Sequence, residues 1–146
     1  MKEILVGETA EVYTRVTTDK LAIAVGSGSL KVFATPSMAA LMEEAACAAV
    51  KPFLDENETS VGISLHIEHI TPTPVGMTVY ADAKIIEVNG REITFKVTAQ
   101  DEVTEIGHGT HKRFIVNAEK FQSKTDTKGI MQDERTAERN RKKISD

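Results

Sequence analysis

One segment of this chain, Thr35 to Val50, has the length and small apolar composition of a packed helix, while the segments after it change to a period of two. Threonine followed by proline is a good helix opening, with Thr35 as the expected N-cap and Pro36 at the first helical position. Pro52 disfavours helical geometry in the residue before it, which places the helix end near Lys51. Beyond the loop Asp55-Glu56-Asn57-Glu58, the residues Val61, Ile63, Leu65, Ile67 and His69 fall on one face of a strand. Gly62, Ser64, His66, Glu68 and Ile70 fall on the other. Thr78 to Val88 reads as a further strand, Asn89-Gly90 as a two-residue hairpin, Arg91 to Gln100 as its partner, and Gly107 to Val116 as a last strand. Ahead of the helix, Glu3 to Thr17 alternates partly and reads as a strand, and Gly26-Ser27-Gly28-Ser29 as a flexible loop. One long helix among strands, followed by an antiparallel meander, predicts an α+β fold in which a single curved sheet wraps one central helix.

At 146 residues the chain is one domain, large enough to hold a core without disulfides or metal staples. The expected division is a folded unit over 1–121 and a polar, charged tail over 122–146, either solvated or a short frayed helix. Aromatic residues make up only 5% and Trp is absent, so Val, Ile, Ala, Leu and Met must build the interior. No apolar run approaches the roughly 18 residues of a membrane span. Met1-Lys2-Glu3 opens into an acidic alternating segment with no signal-like apolar stretch, so the expected location is the cytoplasm. A net charge of −4 argues against a general nucleic-acid surface, since the basic run Arg135 to Lys143 is short and interrupted by Glu138. Cys47 sits among alanines and reads as a small buried hydrophobe.

Two polar residues interrupt these apolar patterns. With successive side chains turning by about 100°, Glu43 shares a helix face with Ala39, Ala46, Cys47 and Val50, while Glu44 points to the solvent edge. His69 continues the apolar face of its strand. Taken singly, Thr35 reads as a cap, Glu43 as a core carboxylate tied to an arginine or, with the helical phase a quarter turn off, as a surface residue, and His69 as a satisfied core histidine. Together they suggest acid/base chemistry, because a carboxylate in an apolar groove has a raised pKa and a nearby imidazole can hold or deliver a proton. His108 and His111, three apart on a strand, project to opposite faces and do not form a chelating pair.

Several separated motifs agree with one known family. The run Phe33-Ala34-Thr35-Pro36, Glu43 eight residues after the Thr, Gly62, His69 followed by Thr71-Pro72-Thr73-Pro74-Val75-Gly76, and Gly107-His108-Gly109-Thr110-His111-Lys112-Arg113-Phe114 resembles the hotdog-fold thioesterases of the fluoroacetyl-CoA type. The resemblance extends from about Ala10 to Phe121. It implies a hotdog fold, a homodimer formed by edge pairing of two sheets, and hydrolysis of acyl-CoA thioesters without a metal or other cofactor. Whether dimers pair into tetramers is left open. The resemblance carries the catalytic set onto Thr35, Glu43 and His69, a glycine near the acyl group onto Gly62, and a substrate-contacting arginine onto Arg113. The fluoroacetyl-CoA type has aromatic lid residues ahead of its helix, whereas Ala24-Val25-Gly26-Ser27-Gly28-Ser29 contains none, which argues against fluoroacetyl-CoA as the natural substrate.

The expected chemistry places the acyl carbonyl over the helix N-terminus, where free N–H groups stabilise an oxyanion. Glu43 either attacks the carbonyl or activates water, and His69 assists proton transfer to the departing thiolate. Hydration of an enoyl-CoA is a weaker alternative, because the Asp/His motif associated with it is absent. The rival from another class is a non-catalytic acyl-CoA binding or sensing module on the same fold. Retention of Thr35, Glu43 and His69 favours catalysis.

Overall fold

A computed structural model describes residues 1–145. Five strands, β1 (Thr9–Arg15), β2 (Glu58–His69), β3 (Thr78–Asn89), β4 (Glu92–Gln100) and β5 (Glu105–Asn117), form one antiparallel sheet in the order β1-β3-β4-β5-β2. A short helix α1 (Ala22–Val25) and the long helix α2 (Thr35–Val50) separate β1 from β2. The sheet curves around α2, which is the expected hotdog arrangement. The N-terminal strand is shorter than the alternation suggested, because only Thr9–Arg15 pairs with β3.

Alanine content explains how closely the helix seats. Met38, Leu41, Met42, Ala45, Ala46, Ala49 and Val50 of α2 are buried against Val79, Ala81, Ala83 and Ile85 of β3 and Ile93, Phe95, Val97 and Ala99 of β4. Small side chains on both surfaces let backbone approach backbone, and long ones at the edges fill the remaining space. This buried stripe lies to one side of Glu43, which flanks the core with Ala39 and Cys47. The face expected for Glu43 was therefore displaced by a fraction of a turn. Cys47 is half-buried for the same reason.

Both ends of α2 differ in detail from the simplest reading. Ala34, in extended geometry, is the N-cap residue, and Thr35 is the first helical residue with no side-chain capping bond. Its hydroxyl is engaged elsewhere. At the other end Lys51 keeps helical angles and leads into a single 3₁₀ turn, Lys51–Phe53, so Pro52 stops the α-helical ladder without turning the chain at once.

The β3–β4 hairpin has Gly90-Arg91 as its two loop residues, because Asn89 pairs with Glu92. Gly90 has φ +61° and no non-glycine residue among those described has positive φ, the pattern of a type II′ turn with Gly at its first central position. After β5, helix α3 (Ala118–Ser145) begins with the Asn117 side chain accepting the Lys120 N–H at 3.0 Å. Its described side chains are exposed, so residues 122 onward form a solvated extension of a continuous helix rather than part of the core. No helix among the described residues is long and apolar enough to cross a membrane.

Candidate active site

An interruption in β2 decides what faces the helix. The pairing of β2 with β5 shifts register between Gly62 and Ser64, leaving Ile63 as the extra residue of a β-bulge. Beyond the bulge Leu65 pairs with His111 and His69 with Gly107; before it Gly62 pairs with Arg113. Since His111 and Arg113 both point inward and are buried, Gly62 and His69 share the inner face. Strict alternation had put them on opposite faces. The extra residue reverses the phase.

Over Gly62 lies a dense polar cluster. A Cβ on Gly62 would stand 3.0 Å from Glu43 Oε2, 3.3 Å from His111 Cε1 and 3.4 Å from Arg113 NH1, so the missing side chain lets these three groups pack closely over the strand backbone. Arg113 is 6% exposed. Its Nε–H donates to Ser60 Oγ at 2.8 Å and its NH2 to the Ser60 carbonyl at 2.9 Å, while NH1 donates to His111 Nε2 at 3.1 Å and to Glu43 Oε2 at 3.4 Å. Glu43 retains 43% of its side-chain surface, so it stands at the mouth of this cluster beside a guanidinium and not in an apolar groove.

His111 sits behind the arginine, 1% exposed and stacked on Phe95 with ring centroids 6.1 Å apart. Its Nδ1 is 2.8 Å from the Ser64 carbonyl. Burial holds its pKa below the ordinary imidazole value; the Ser64 carbonyl opposes this, Arg113 adds to it and Glu43 opposes it. The ring is accordingly neutral at neutral pH.

The second polar group is at the start of α2. Thr35 Oγ1 lies 2.8 Å from His69 Nδ1, which explains why the hydroxyl does not cap its helix. His69 Nε2 is buried without a hydrogen-bond partner among the described residues. Burial lowers the pKa of His69, with a backbone bond at Thr71 acting in the opposite direction. Thr35 and His69 line an open cleft of about 380 Å³ together with Phe33, Gly28, Ser29 and Leu30. The strand end carrying His69 is tied down nearby: Ile70 N–H donates to the Ile106 carbonyl at 2.7 Å. In the following loop the buried Thr73 hydroxyl donates to Asp101 Oδ2 at 2.9 Å.

The two groups are separate within one chain. Eight residues of helix rise about 12 Å, so the N-terminus of α2 and the Thr35–His69 pair are too far from Glu43 for direct contact. A carbonyl attacked by Glu43 therefore cannot lie over the N-terminus of the same helix, and the positive group beside it is Arg113. The sequence reading singled out Thr35, Glu43, Gly62, His69 and Arg113, and the structure brings them together as one pair and one trio. It passed over Ser60 and His111. The only signal for His111 was its inward phase two residues from Arg113; His108, on the outer face, lies 3.4 Å from Glu68.

Comparisons with known proteins agree over this region. Residues 16–119 match the model of a family described as FlK, fluoroacetyl-CoA-specific thioesterase. A fluoroacetyl-CoA thioesterase of Streptantibioticus cattleyicolor is 43% identical over 94 residues, spanning 64% of this chain and 68% of that protein. The solved structure of the fluoroacetyl-CoA thioesterase FlK superposes with a TM-score of 0.82 at 34% identity, covering 87% of this chain and 98% of that one. A Thermus thermophilus thioesterase superfamily member superposes with a TM-score of 0.84 at 26% identity, covering 91% and 98%.

Proposed function

The chain belongs to the FlK family of fluoroacetyl-CoA-specific thioesterases and hydrolyses acyl-CoA to the free acid and CoA; we propose that Glu43, Thr35 and His69 carry this reaction. The observation that supports it most is Glu43 Oε2 held 3.4 Å from Arg113 NH1 while 43% of the Glu43 side chain stays open to solvent. An acyl carbonyl docked on that open side meets a carboxylate already oriented by a buried guanidinium. In this reading Gly62 and Arg113 are the substrate-binding residues that lie nearest the acyl group.

Two routes use the same groups. Glu43 attacks the carbonyl carbon, the C–S bond breaks with its electron pair going to CoA thiolate, and water then cleaves the mixed anhydride to regenerate Glu43 and release the acid. Alternatively Glu43 takes a proton from water, whose hydroxide attacks the carbonyl directly, and the C–S bond breaks with its electron pair going to CoA thiolate. In both, a neutral His69 linked to Thr35 handles the proton that the departing thiolate acquires; since this pair is out of reach of Glu43 within one chain, the reading takes it from a second copy.

The reading includes a homodimer. Strand β2 is twelve residues long, pairs only on its β5 side and contains no fully buried residue, with Ile63 49% exposed. Such an edge is a template for another strand. A second copy paired along it closes the site over the exposed side of Glu43, which lies against Gly62 of that strand. The substrate is a small or medium acyl-CoA other than fluoroacetyl-CoA, because the cleft is rimmed by Gly28, Ser29 and the exposed Leu30 with no aromatic lid. Its place of action is the cytoplasm.

Free-thiol release from short, branched and aromatic acyl-CoA esters tests the reading, run on wild type and Glu43→Gln. Turnover of an ester that vanishes in the variant supports it and gives the acyl class. Equal turnover by the variant removes Glu43 from the mechanism, and silence with acyl-CoA still bound by calorimetry favours a sensing module. Sedimentation of wild type and Ile63→Pro tests the edge-paired dimer.

A further inference from the structure

We propose that His111 is a positioning residue for hydrolysis: a neutral imidazole, fixed in its Nδ1–H tautomer, that orients Arg113 and through it the carboxylate of Glu43. The inference rests on the reading that Glu43 performs the attack or activates the water.

The chemistry of the neighbours sets the tautomer. The Ser64 carbonyl can only accept a hydrogen bond, so the nitrogen 2.8 Å from it, Nδ1, carries the proton. Arg113 can only donate, so Nε2, 3.1 Å from NH1, offers a lone pair. One protonation state satisfies both partners, and a doubly protonated ring would direct N–H against N–H at the arginine. The groups facing the ring from each packed element agree with the neutral form: Arg113 on its own strand, the Phe95 ring on β4, the Ser64 carbonyl on β2 and Glu43 on α2.

The consequence falls on the guanidinium. Ser60 holds Nε and NH2 at one end, and His111 and Glu43 share the hydrogens of NH1 at the other, so four of the five N–H groups of Arg113 are committed. With the His111 acceptor in place, one NH1 hydrogen is fixed toward Nε2 and the second points at Glu43 Oε2. Without that acceptor, the buried NH1 has Glu43 as its single partner and draws the carboxylate inward, away from its solvent-open side. Loss of one hydrogen bond to a charged group corresponds to roughly a 10–100-fold effect.

Kinetics on three variants test this, using whichever acyl-CoA ester the wild type hydrolyses. Gln at this position can place its carbonyl oxygen near Nε2, Asn reaches only the Nδ1 position, and Leu supplies volume without an acceptor. His111→Asn and His111→Leu should lower kcat about 10–100-fold with KM little changed, whereas His111→Gln should stay within about fivefold of wild type. Asn and Leu variants as active as wild type overturn the proposal. So does a Gln variant as slow as the Asn variant with a wild-type melting temperature. Nitrogen NMR of the wild-type ring needs no folded variant: an unprotonated Nε2 supports the assignment, and a proton on Nε2 at neutral pH overturns it. Glu43→Gln in the same series separates the two readings. If it remains active the role of Glu43 fails, and if it is inactive while His111→Asn is unimpaired, only the role of His111 fails.

Discussion

The cluster around Arg113 and the pair at the start of α2 are both polar groups set into an apolar fold, yet they are finished differently. In the first, a buried guanidinium has Ser60, His111 and Glu43 as partners, and His111 is satisfied on both nitrogens. In the second, His69 Nδ1 meets the Thr35 hydroxyl, while Nε2 is buried without a partner among the described residues. A saturated network is rigid, because each bond constrains the next and an unpaired buried group is expensive. It suits the group that must be held still for attack. An imidazole with a free nitrogen suits the group that must exchange a proton with something that arrives.

If that division of labour is right, removing the held carboxylate has the largest effect. Glu43→Gln should reduce kcat about 10³-fold while acyl-CoA binding by calorimetry persists. His69→Ala should reduce kcat by about 10²-fold and leave the fold intact; an unfolded variant by circular dichroism would instead make His69 a core residue. Gly62→Ala sharpens the contrast, since its Cβ meets Glu43 Oε2 at 3.0 Å and does not approach Thr35 or His69. It should lower kcat/KM roughly tenfold through displacement of the carboxylate, with the Thr35–His69 contact undisturbed.

Acid sensitivity separates the two imidazoles less strongly. Both have pKa values depressed chiefly by burial, so the folded state favours the neutral rings. Their contribution to stability is fully present above the ordinary imidazole value of about 6.5 and is lost as pH falls from there through the lower folded values. Melting temperature should therefore decline between about pH 7 and 5, and His69→Ala should flatten part of that decline; identical slopes would exclude His69 as a contributor. The smallest effect expected is from removing residues 122 to the end. The described part of that helix is exposed along its length, so turnover and melting temperature should stay close to wild type.

The architecture was readable because each of its signals is local. Thr35-Pro36 and Pro52 bracket a 16-residue helix, and Asn89-Gly90 marks a hairpin whose loop lies one residue further along. The site is only partly readable, and each residue it misplaces has its own reason. Strict alternation puts Gly62 on the wrong face because a bulge at Ile63 cannot be seen in an alternating pattern. Helical phase puts Glu43 in the buried stripe because alanines occupy three sides of α2 and mark the phase weakly. Thr35 reads as a cap, although its hydroxyl finds His69, 34 residues away.

By itself, then, the sequence determined the central helix, the order of the strands, the family resemblance and the set of candidate residues, since these depend on residue types at fixed spacing along the chain. The tertiary structure decided which of those residues meet. Contact between Glu43 and Arg113, the locking of His111 between Ser64 and Arg113, and the separation of both from Thr35 and His69 depend on strand register and helix rotation. Those are set by packing over the whole sheet, where one extra residue in β2 reverses the direction of the side chains beyond it.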